Sequence, residues 1–125
     1  MTNDVVESAA TRTSTGIVEL DDLLHGGLRK GTVTVVAGHS GAGHSQLALQ
    51  IARISAGAGW GANVLALGTS VEDVWRRTLS GHLAIKEAAI PDTETELIAT
   101  TVSKELGGRF RVSAVSERHV HDVLF

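Results

Sequence analysis

The run Val33, Thr34, Val35, Val36, Ala37 leads directly into Gly38, His39, Ser40, Gly41, Ala42, Gly43, His44 and Ser45. A β-branched apolar run, a glycine-rich turn and a helix, in that order, have the spacing of a phosphate-binding loop, G-x-x-x-x-G-K-[ST]. One position departs from it: His44 stands where the pattern has lysine. The frame of a phosphate site is present and its main charge is altered.

The surrounding pattern alternates strands and helices. Ile17, Leu20, Leu23 and Leu24 recur at helical spacing, with Asp21 and Asp22 assigned to the outward face. Gly26 and Gly27 should end that helix. Residues 32–37 are predicted as the first strand, because β-branched side chains favour extended backbone. A helix is predicted from about 43 to 56, with Leu47, Ile51 and Ile54 on one face. Residues 63–67 read as a second strand, apolar enough to be buried on both faces. Ser70 and Asp73 match a capping box, and Val71, Val74, Trp75, Thr78, Leu79 and Leu83 trace an amphipathic stripe behind it. Pro91 marks a break. Leu97, Ile98, Thr101, Val102 and Leu106 suggest a further helix, ended by Gly107 and Gly108, and 109–112 a third strand. A short helix is predicted over 116–124. Residues 1–13 read as a flexible arm and 14–125 as one domain. This order predicts an α/β fold with a short, mostly parallel sheet flanked by helices.

Composition narrows the function. With 42% hydrophobic and 20% charged residues, the chain fits a globular domain rather than a disordered one. The net charge of −3 lacks the basic footprint of strong nucleic-acid binders, so weak or no nucleic-acid binding is expected. The absence of cysteine excludes disulfides and thiolate metal sites. No apolar run is long enough for a transmembrane helix, and the first residues are unlike a signal peptide, so no membrane role and a cytoplasmic location are expected.

The chemistry of the loop rests first on its backbone. Glycines let successive N–H groups curl around a phosphate, and the following helix adds its positive end. Gly38, Gly41 and Gly43 supply that freedom, and Ser45 is placed to coordinate Mg²⁺ carried by a nucleotide. Histidine is shorter than lysine and is not a permanent cation. Two readings of the loop stand open: a tuned phosphate site, and a strand–helix connection without useful nucleotide affinity.

Residues 14–28, from Ser14-Thr15-Gly16 through Leu20-Asp21 to Gly26-Gly27-Leu28, resemble the segment that opens RecA-like domains of the DnaB, RadA and KaiC families. Residues 64–67 and 70–80 are most similar to the second core strand and following helix of DnaB-type replicative helicases. The likeness covers about 13–85. It implies a partial RecA-like P-loop fold, ATP or ADP with Mg²⁺ as ligands, and a link to DNA replication or repair.

The departures qualify what the resemblance implies. DnaB-type domains carry a glutamate after the second strand that activates water; here Leu67-Gly68-Thr69-Ser70 has no carboxylate. Glu72 and Asp73 are better read as capping and dipole-compensating residues. The family's Walker B aspartate, DNA loops and arginine finger would lie beyond Phe125. Phosphoryl transfer needs lysine, Mg²⁺ ligands and a water-orienting group together, and losing one electrostatic element costs ~10²–10³ in rate. The expectation is a truncated, non-hydrolysing binding or assembly module with weak nucleotide affinity. An open sheet edge would serve a homo-oligomer or protein partner. The alternatives are an ATPase, alone or completed by another subunit, and a gene remnant. His119 and His121 read as exposed terminal histidines, Arg76 and Arg77 as a solvated face, Trp75 as core, and Trp60 as a contact residue.

Overall fold

The structure, a computed structural model, describes residues 11–115. Its elements run β1 (Arg12–Thr13), α1 (Val18–Leu23), β2 (Leu28–Arg29), α2 (His44–Gly57), β3 (Ala62–Ala66), α3 (Val71–Leu83), a 3₁₀ turn (Glu87–Ala89), α4 (Thr95–Glu105) and β4 (Phe110–Ala114). This is an α/β architecture with two small sheets. β1 and β2 pair antiparallel, Arg12 opposite Arg29 and Thr13 opposite Leu28. β3 and β4 pair parallel, from Ala62 opposite Phe110 to Ala66 opposite Ala114. The predicted arm therefore gives up its last two residues to a ladder.

Register decides which face of β3–β4 is covered, because alternate residues point to opposite faces. Ala62, Val64 and Ala66 lie beside Phe110 and Val112 and meet the core. Asn63, Leu65, Arg111 and Ser113 form the other face, where Leu65 remains 40% exposed. The sheet is thus covered on one face, whereas the apolar composition of 63–67 had predicted two. The core gathers Ala56 from α2, Leu79 from α3, Ile90, then Ala99, Val102 and Leu106 around α4, and Phe110. Trp75 stands edge-on to Phe110, ring centroids 5.3 Å apart at 64°. That geometry sets the positive ring edge against the negative ring face.

Helix ends follow local chemistry. Ser70 caps α3, its Oγ accepting the Asp73 N–H at 3.0 Å. α1 and α4 close in the same way. Gly26 N–H reaches the Asp21 carbonyl at 2.7 Å and His25 N–H the Asp22 carbonyl at 3.2 Å. Gly108 N–H reaches the Ser103 carbonyl at 2.8 Å and Gly107 N–H the Lys104 carbonyl at 2.9 Å. Both are Schellman closures. In α1 the closing residue with positive φ is His25, at φ 55°, and Gly26 follows it at φ 114°. Gly27 answers a different need. A Cβ there would collide with the Thr13 carbonyl at the end of β1.

Several expectations need correction. Residues 32–37 form no strand, since a ladder needs a neighbour and none of the described strands lies beside them. The inner face of α2 is Leu49, Ala52 and Ala56 rather than Leu47, Ile51 and Ile54, because α3 and the sheet reach the helix from that side. On α4, Leu97 points outward at 71% exposure, while Thr95, Ala99 and Val102 turn inward. Asp21 is half-buried instead of outward, drawn in by Ser14 and Thr15. The predicted helix over 116–124, with His119 and His121, lies outside the described residues.

Candidate functional site

The loop residues lie together between the unpaired stretch and α2. Ala42 N–H donates to the His39 carbonyl at 3.1 Å, closing a turn. Gly41 and Gly43 take φ of 82° and 88°, a left-handed backbone that L side chains resist. Gly43 is the N-cap of α2 and has no side chain to cap it. The first-turn amides of His44, Ser45 and Gln46 therefore meet no capping side chain, the arrangement a bound anion needs. Gly38, His39, Ser40, Gly41, Ala42, Gly43 and Ser45 are exposed, and His44 is half-buried.

His44 folds inward. Its Nδ1 is buried without a hydrogen-bond partner, and a Cβ built on Gly38 would sit 3.6 Å from that nitrogen. The imidazole thus lies against the start of the loop. A lysine in the same place would extend a longer, permanently charged stem. An orphaned buried nitrogen calls for a donor or acceptor, so the polar complement of His44 is incomplete.

The backbone fits phosphate. Gly41 and Gly43 hold a left-handed backbone, the helix end carries no capping side chain, and the three glycines put no side chain into the turn. The amides of Gly41 and of 43–46 would hold the phosphate, the Ala42 N–H being engaged by the His39 carbonyl, and the Ser45 hydroxyl would take Mg²⁺ carried with it. The metal would supply charge neutralisation between phosphate oxygens.

Other candidate residues lie elsewhere. Glu72 lines a groove of about 1020 Å³ between α3 and α4, together with Trp75, Arg76, Asp92 and Ala99. Asp73 serves the α3 cap. Arg76 is ion-paired with Asp92 rather than freely solvated, and the Asp92 carboxylate holds its guanidinium above the ordinary value. Arg77 is half-buried and lines a small cavity with Gln46, Arg53 and Thr78. Trp60 lies beneath the Lys30 ammonium, 3.4 Å from ring centre to nitrogen, a cation–π contact within the chain.

Two features were missed by sequence reasoning. Glu87 accepts a hydrogen bond from Gln46 at 3.1 Å, bringing a carboxylate to the first turn of α2 from 41 residues away. His82 joins three helices, its Nε2 3.1 Å from Glu105 and its Nδ1 3.5 Å from Arg53. Neither carries a local sequence signal, because both depend on how distant helices pack. Among the described residues, no group of three His, Asp or Glu side chains could hold a metal ion, and no helix is long and apolar enough to cross a membrane.

A glycine-rich loop entering a helix, within an α/β domain, has the form of a phosphate-binding loop, and the family match makes it one of RecA-like type. The family model described as "ATPase: KaiC" matches residues 13–83, more than half of the 125-residue chain. The chain belongs to this KaiC ATPase family. ATPase domains of the family bind nucleotide with Mg²⁺. The match supports the broader RecA-like family and not the DnaB branch in particular. No curated protein and no solved structure gives a significant match.

Proposed function

We propose that this chain is a degenerate P-loop module that binds phosphate or nucleotide weakly, does not hydrolyse it, and acts by binding or assembly. The observation that carries this reading is His44: the position of the phosphate-reaching lysine holds an imidazole packed against Gly38, with Nδ1 buried and unpartnered. The backbone cradle remains while its cation is shortened and folded away. The stretch after β3, Leu67 to Ser70, offers no carboxylate to orient water. Phosphoryl transfer depends on positioning and charge stabilisation, so a cradle without these groups holds phosphate better than it transfers it.

Isothermal titration with ATP and Mg²⁺ tests the reading, run beside His44→Lys. The unaltered chain should show at most weak binding, and the lysine variant should tighten it by on the order of tenfold or more. Micromolar binding and turnover by the unaltered chain would overturn the proposal. Binding to single-stranded DNA should be weak or absent at moderate salt, consistent with the net charge of −3.

A second reading is an ATP-binding protein of helicase type, completed by another subunit. It is favoured by the residues at 32–37, which have no ladder partner among the described strands. A kinship with DnaB-type helicases rests on 64–67 and 70–80. Hydrolysis that appears only on adding a second protein would select this reading.

A further inference from the structure

Residues 32–37 read Thr-Val-Thr-Val-Val-Ala, a sequence made for a strand, yet they join neither sheet. Val33 at 92% and Val35 at 80% are the two most exposed large apolar side chains among the described residues. An unpaired extended edge with apolar side chains is a template for another strand. Charges commonly guard such edges, but no Lys, Arg, Asp or Glu occurs from 31 to 52.

We propose that a second copy of this chain pairs with residues 32–37 as an antiparallel strand centred on Thr34. The segment is its own complement in that register. Val33 of each copy meets Val35 of the other, Thr32 meets Val36, and the two Thr34 residues face each other. Every pair is β-branched, the kind of cross-strand pair that stabilises a sheet. The most exposed valines of one copy thereby gain those of the other as neighbours. β4 suits self-pairing less well: centred on Val112, it would set Phe110 against Ala114 and Arg111 against Ser113, pairs that are not β-branched on either side. The two-fold arrangement closes after two copies, so it yields a dimer and not a filament. The pairing is independent of whether the loop binds phosphate.

The lack of cysteine makes the register directly testable. Thr34→Cys places two thiols opposite each other across the two-fold axis, within reach of a disulfide. Mild oxidation should convert this variant to a species of twice the 13.1 kDa chain mass, while Thr100→Cys on exposed α4 should stay uncrosslinked. Sedimentation equilibrium should show a dimer for the unaltered chain. Val33→Lys with Val35→Lys should weaken it by on the order of tenfold or more, with helical circular dichroism unchanged. Leu97→Lys, also solvent-facing but on α4, should leave the dimer intact. A monomer at high micromolar concentration overturns the proposal. So does a dimer indifferent to the valine changes, or equal crosslinking at Thr34 and Thr100.

Discussion

Asp21 holds Thr15 at two points, its Oδ1 lying 2.8 Å from the Thr15 N–H and 2.6 Å from the Thr15 hydroxyl. Its Oδ2 accepts the Ser14 hydroxyl at 2.5 Å. One carboxylate thereby fixes the turn that sets Gly16 against Ile54 of α2. This gives the Ser14-Thr15-Gly16 and Leu20-Asp21 residues a physical reason to occur together.

Asp21→Ala should destabilise the domain. Thr15 is fully buried; its N–H would lose its acceptor and its hydroxyl would keep only the 3.4 Å contact to the Ile17 carbonyl, at a cost of about 1–3 kcal/mol. The pH dependence has a definite sign. Hydroxyl donation from Ser14 and then Thr15 holds the Asp21 carboxyl below its ordinary value. A depressed carboxyl stabilises the fold above its unfolded-state pKa, and that contribution is lost as pH falls through the folded value. The charge-dependent difference between unaltered and variant chains should be full at neutral pH and shrink only below the ordinary carboxylate range. Urea melts at neutral and acid pH measure it; a difference that grows on acidification would refute the assignment.

Ser70→Ala should cost about 1 kcal/mol, because the Asp73 N–H loses its acceptor at the start of α3. Ser70→Asp should recover most of the loss, since a carboxylate caps equally well and faces the positive helix end. Thermal melts of the three chains decide it; an unchanged midpoint for alanine would mean that water replaces the cap.

The Ser70 cap illustrates what was legible in the sequence. Capping and helix closure are local, so Ser70–Asp73 and Gly107–Gly108 announce themselves within a few residues. The loop was legible for the same reason. Partners were not. Residues 32–37 have strand composition, but composition does not supply a neighbour. Leu65 has an apolar side chain, but only the one-sided packing of α2 and α3 leaves it exposed. The inward turn of Asp21 came from hydroxyls six and seven residues earlier, a contact that helical periodicity does not encode. At the site, the sequence shows that His44 replaces lysine, while the fold shows where its ring goes.

The Trp75–Phe110 pair links α3 to the start of β4. Phe110 is 1% exposed and is among the largest fully buried side chains of the described residues. Phe110→Ala should cost about 3–5 kcal/mol, a large share of a small domain's stability. Phe110→Leu keeps most of the volume and should cost less than half as much. Denaturant midpoints test this ordering, and Trp75 fluorescence reports the loss of its neighbour directly.

Gly43→Ala separates backbone conformation from space at the loop. A Cβ on Gly43 would meet nothing within 4 Å, yet its φ is 88°. Gly61 also has open space but no left-handed φ, so it serves as the control. Alanine at 43 must either hold a left-handed backbone, at roughly 1–2 kcal/mol, or relax and turn the first amides of α2 away. The first outcome lowers stability and leaves phosphate affinity unchanged; the second preserves stability and removes that affinity. Alanine at 61 should change neither. Paired melts and phosphate titrations distinguish the outcomes. If Gly43→Ala matches Gly61→Ala in both measurements, the left-handed geometry at Gly43 shapes neither the fold nor the site.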